Sequence, residues 1–79
     1  APRRVVAGVD FLETPETGVF ALRSAAGGFE ALGDAHVVER IDGEIVVTPL
    51  GRRGLPLLRF ATGVRSAGPD GPVSTIALD

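Results

Sequence analysis

Few residues in this chain have side chains suited to catalysis. His36 is the single histidine, and Ser24, Ser66 and Ser74 are the serine nucleophiles it would have to activate. Nucleophilic catalysis needs a base within hydrogen-bond reach of the nucleophile. Nothing in the spacing of these four residues associates them, and the chain has no cysteine and no lysine. His36 opens a β-branched run beside Asp34, which is where a solvated edge residue is expected. Asp42 with Glu44, and Glu13 with Glu16, are carboxylate pairs of the type used in acid–base catalysis. Both pairs fall in turn sequences, where solvated surface charge is the expected role. The sequence therefore predicts no catalytic residue and a non-enzymatic domain.

Metal and cofactor binding have equally little material. Without cysteine and with one histidine the chain cannot build the usual zinc site. "IDGE" and "PDGP" are single turns, not the repeated acidic spacing of a calcium loop. The expectation is no metal and no cofactor.

Four arginines remain: Arg52, Arg53, Arg59 and Arg65, in and after "TPLGRRGLPLLRF". A nucleotide-binding loop would need a lysine and a following helix start, and this stretch has neither. Double-strand readers use Asn or Gln beside Arg, and neither amide occurs. Single-strand binders present exposed aromatic platforms. The aromatic residues here are four phenylalanines, of which Phe11, Phe20 and Phe60 fall at inward positions of expected strands. Gly51 to Gly54 therefore reads as an exposed turn whose arginines contact an acidic surface, in a second copy or on another protein. A small nucleic-acid-binding barrel using the same four arginines is the alternative.

Charge is arranged in blocks. Net charge is −2, yet residues 1–9 carry +2, residues 10–44 carry −6, residues 45–69 carry +4 and residues 70–79 carry −2. Such asymmetry lets the acidic face of one molecule meet the basic face of another. Length points the same way. A 79-residue chain is one domain, and at this size folding buries only about 60% of the unfolded chain's surface. With no disulfide, further burial against another chain is the available staple. No apolar run approaches the length of a membrane helix, and the stretch before Asp10 is too short for a signal peptide. A cytoplasmic location and no membrane partner are expected.

The elements that must position these residues read as strands. Val5, Ala7, Val9 and Phe11 alternate along a strand from Arg3 to Leu12. "ETPETG" (13–18) is a turn, and "VFALRS" a second strand with Phe20 and Leu22 inward. "AAGG" breaks it, and "FEAL" is a short strand or bend. "HVVERIDGEIVVTPL" is a hairpin about Asp42-Gly43. Pairing Ile41 with Glu44 sets Val38 opposite Val47, with Val38, Ile45 and Val47 on one face and Val37, Ile41 and Val46 on the other. "LPLLRFATG" (55–63) is a strand with Leu58 and Phe60 inward, and "VSTIAL" a last one with Ile76 and Leu78 inward. Residues 19–32 also fit a helical spacing, but Gly27 and Gly28 would cost a helix about 2 kcal/mol relative to alanine. The expectation is an all-β sandwich or partly open barrel of about six strands. A ferredoxin-like α+β split sandwich is the alternative.

The order "IDGEIVVTPLG", "LLRFATG", "GPDGP", "VSTIALD" resembles the second half of a Rieske-type domain. "GVFALRS" resembles the strand before that family's first ligand loop. In such domains Cys and His hold two irons. Thr48 and Gly51 stand at the second ligand pair here, and Ala26 and Gly28 at the first. The resemblance therefore implies a β-fold without its cluster, and an accessory role in an oxidoreductase. Taken together, the sequence predicts a non-catalytic assembly or interaction module that binds itself or another subunit.

Overall fold

The dipeptides Ala7-Gly8 (51° and 81°) and Asp42-Gly43 (51° and 78°) each pair a non-glycine residue at positive φ with a following glycine at positive φ. This is the geometry of the tight two-residue hairpin turn whose twist matches that of paired strands. The computed structural model of the chain describes residues 1–51 and 57–78. The strands are β1 (Arg3–Val6), β2 (Val9–Thr14), β3 (Gly18–Arg23), β4 (Phe29–Ala31), β5 (His36–Ile41), β6 (Glu44–Pro49), β7 (Phe60–Arg65), β8 (Gly71–Pro72) and β9 (Thr75–Ile76).

They form two antiparallel sheets, one in the order β1-β2-β3-β4-β9 and the other in the order β7-β6-β5-β8. The protein is all-β, and no helix occurs among the described residues. Residues 19–32 form β3, a turn and β4, so the glycine pair ends a strand and does not interrupt a helix. Gly27 and Gly28 both have positive φ, and a Cβ on Gly28 would stand 2.7 Å from the Ile76 carbonyl oxygen. That close approach is what ties β9 to the edge of β4.

The core lies between the sheets. Leu12, Phe20, Ala21, Phe29 and Ile76 from the first sheet meet Val38, Ile45, Val47 and Val64 from the second. The β5–β6 register is the expected one, with Ile41 opposite Glu44 and Val38 opposite Val47. Its inner face is fully used, but on its outer face Val37 is exposed while Val46 is buried.

Four details differ from the sequence reading. The strand expected from Arg3 to Leu12 is a hairpin folded at Ala7-Gly8. Its buried residue is Leu12, and the Val5 to Phe11 series forms no buried face. In β3 the pairing shifts between Leu12 and Glu13, and this bulge leaves consecutive residues Phe20 and Ala21 both fully buried, whereas Leu22 is exposed. The strand expected at 55–63 begins at Phe60. Leu57 and Leu58 are exposed, Thr62 and Val64 point inward, and Leu55 and Pro56 lie outside the described residues. At the end of the chain Ile76 is buried as expected, but Leu78 is exposed.

Candidate functional site

The arginines expected to form a patch are dispersed where they are described. Arg59 precedes β7 and sits 3.7 Å from Glu39. Arg65 ends the same strand and donates from Nη2 to the Asp42 carbonyl (3.0 Å), lying over Gly43, where a Cβ would stand 2.6 Å from it. Arg65 faces Glu44, and Phe60, next to Arg59, faces Val47, so the two stand about four residues of strand apart, roughly 13 Å. Arg52 and Arg53 lie outside the described residues.

His36 is buried, not a solvated edge residue. It opens β5 on the inner face, in alternation with Val38 and Arg40. Its Nδ1 lies 3.1 Å from the Leu32 carbonyl and its Nε2 2.9 Å from the Thr17 carbonyl. Carbonyls only accept hydrogen bonds, so each contact needs a proton on the nitrogen concerned. The ring clamps the β2–β3 turn to the β4–β5 loop, and no serine is bonded to it. Glu44 accepts from the Gly63 amide (2.9 Å) and Glu13 pairs with Arg4, so these carboxylates serve local structure. Among the described residues, no group of three His, Asp or Glu side chains converges as metal ligands would.

Arg40 is the second buried polar group that composition alone does not reveal. It is 8% exposed. Its Nε donates to the Ser66 carbonyl (3.0 Å), Nη1 to the Pro69 carbonyl (3.2 Å) and Nη2 to the Ser66 hydroxyl oxygen (3.2 Å). Gly68, at φ +144°, leaves the space this guanidinium fills, since a Cβ there would stand 2.6 Å from Nη1. The side chain thus holds the loop after β7 against β5.

The exposed apolar surface gathers elsewhere, on the β1–β2–β3 meander. Residues paired across strands share a face. Val6 lies opposite Val9, and Phe11 opposite Leu22. Since Leu12 and Ala21 form the inner pair, Val6, Val9, Phe11 and Leu22 line the outer face. Val6 is 50%, Val9 52% and Leu22 40% exposed. The Arg4–Glu13 ion pair (3.1 Å) borders this stripe on one side and Glu30, opposite Leu22, on the other. A shallow groove of about 450 Å³ runs past Val9 and Leu22 towards Ser24. The sequence reading missed the stripe because it took "VVAGV" as one strand. A turn at Ala7-Gly8 places Val6 beside Val9, and Gly8 was the available signal.

The other face of β1 carries charge. Arg3 holds Asp10 with two bonds, Nε to Oδ1 (3.0 Å) and Nη2 to Oδ2 (2.7 Å). Arg3 and Arg23 both approach the Phe29 ring, at 5.7 and 5.4 Å from its centroid. The hydrogen bonds from Arg3 hold the Asp10 carboxyl below the ordinary carboxylate range. A carboxylate depressed in the folded state stabilises it above its unfolded pKa, and that contribution is lost as pH falls through the folded value. The stability difference between the parent and Asp10→Asn should therefore be present at neutral pH and shrink below about pH 4. Added salt should shrink it too, because the pair is exposed. Thermal melts of both proteins across this pH range check it, and a difference that grows on acidification would contradict it.

Compared with family models, curated proteins and solved structures, the chain gives no match.

Proposed function

We propose that this domain is a non-catalytic assembly or protein-interaction module. The observation that supports it best is the outer face of the β1–β2–β3 meander, where Val6, Val9 and Leu22 are at least 40% exposed around Phe11. A single exposed valine needs no explanation, whereas a contiguous apolar stripe rimmed by charge marks a contact surface. The buried polar groups act within the fold: the His36 ring lies between two backbone carbonyls, and Arg40 donates to two backbone carbonyls and a hydroxyl. Nucleic-acid binding draws less support. Of the four arginines it would use, the two described are engaged by Glu39 and by the Asp42 carbonyl.

The double change Val9→Glu with Leu22→Glu tests the proposal. Both side chains are exposed in the single chain, so the strand signature and melting point should stay close to the parent's. Self-association, or retention of a co-purifying protein subunit, should be lost. Unchanged association in a folded double variant contradicts the reading. So does parent protein that binds RNA at physiological salt, with an affinity that falls steeply as salt rises, and associates with no protein.

A further inference from the structure

Strand β1 ends its sheet, and no described strand pairs with its outer side. In a two-residue hairpin the pair beside the turn is hydrogen-bonded, and bonded and unbonded pairs alternate from there. Val6, Arg4 and Pro2 therefore turn their backbone groups towards β2. The Glu13 amide donating to the Pro2 carbonyl (2.9 Å) fixes this phase. Arg3 and Val5 turn theirs outward, and no hydrogen bond joins those groups to a described residue.

Natural edges are usually blunted by proline, by an uncompensated charge or by a bulge. Here Pro2 sits where its missing N–H faces β2, so it does not block the open side. Arg3 is neutralised by Asp10 and Arg4 by Glu13. The β1–β2 pairing itself carries no bulge. Val5, on the strand's inner side, is 63% exposed.

We infer that β1 pairs with the β1 strand of a second copy, antiparallel about a two-fold axis through Arg4. This rests on the interaction-module reading and names its partner. In this register Arg3 of each copy lies opposite the second copy's Val5. The four outward backbone groups of each copy are then all satisfied, by four hydrogen bonds across the dyad. Val6 meets the second copy's Pro2 on the outer face, and Val5 meets the aliphatic stem of the second copy's Arg3 on the inner face. The two Arg4 side chains face each other, a contact that opposes pairing when uncompensated. Each is already bound to Glu13, diagonal to it on β2, so the two ion pairs leave no net charge about the axis. An edge with no unmatched charge and valine on both sides fits its own copy better than a strongly charged foreign strand. Such isologous pairing closes on itself and joins two five-stranded sheets into one.

Val5→Pro tests this with little cost to the single chain. The N–H it removes points outward, the edge position at which strands tolerate proline. Val5→Lys is the second variant, placing an unmatched charge at the same point without changing the backbone. Sedimentation and amide exchange are measured on the parent and both variants, with strand content followed by circular dichroism. The expected result is a parent dimer with a dissociation constant on the order of 10 µM, as a small interface gives. Both variants should weaken it at least about tenfold. The Arg3 and Val5 amides of the parent should become protected as concentration rises. A folded parent that stays monomeric at about 1 mM overturns the pairing and leaves contact with another protein standing. A parent dimer unchanged by both Val5 variants but dissolved by Val9→Glu with Leu22→Glu also overturns edge pairing, and places self-association on the outer face. Association insensitive to all of these variants overturns both the pairing and the interaction surface.

Discussion

Phe29→Ala is expected to leave most of the chain unfolded. Phe29 is fully buried, and it faces Ile76 across the β4–β9 pair. Truncating a buried phenylalanine costs about 3–5 kcal/mol, through lost transfer free energy and the cavity left behind. Stability of about 0.05–0.15 kcal/mol per residue gives a chain of this length roughly 4–12 kcal/mol in total. A small domain without disulfides lies towards the lower end, so the loss is comparable with the whole. The two guanidinium groups over the ring add to the cost, because they lose an aromatic face worth about 0.5–1 kcal/mol each at a partly exposed site. Phe29→Leu should stay folded and melt below the parent. Urea unfolding followed by circular dichroism separates these outcomes. A Phe29→Ala midpoint equal to the parent's would mean that the two sheets do not pack through this residue.

Arg40→Leu is expected to cost about 2–4 kcal/mol, which places it second. Leucine fills part of the volume but offers no donor to the Ser66 carbonyl, the Pro69 carbonyl or the Ser66 hydroxyl. Each buried acceptor left unsatisfied costs about 1–3 kcal/mol. Removing a buried charge recovers part of that loss, since desolvating a guanidinium is unfavourable. The acceptors win because they belong to the loop backbone and remain when the cation goes. Arg40→Lys should fall between the two, retaining the charge without the planar fork that reaches three oxygens. Amide exchange in residues 66–71 should rise sharply in the leucine variant and less in the lysine variant. A leucine variant as stable as the parent would contradict this role.

The all-β class, the Asp42-Gly43 turn and the register of β5 on β6 were legible in the sequence. All three rest on local signals: β-branched runs, a turn dipeptide and alternation. The errors arose where a non-local or weak signal decided. Alanine is an unusual first residue for a tight turn, because asparagine or aspartate commonly fills that position, so Ala7-Gly8 did not mark a hairpin. The bulge opposite Leu12 turns Phe20 and Ala21 the same way, and alternation cannot anticipate that. His36 looked like a solvated residue because its two acceptors, at Thr17 and Leu32, are brought to it only by the folded loops. Arg40 reads as a charge on a strand, and the oxygens that bury it come from a loop 26 residues further on. The candidate contact surface was hidden for the same reason as the first hairpin. Composition pointed to a partner, but the valines that form the stripe meet only once the chain folds back at Gly8.

Sedimentation equilibrium of the purified parent, over a range of concentrations and at physiological salt, tests most directly whether this domain works by protein contact. Self-association predicts a mass that rises from the 8.1 kDa of one chain towards twice that value, and that does not change when nuclease is added. A mass fixed at one chain throughout, in protein that retains its strand signature and takes up RNA when RNA is supplied, would contradict it.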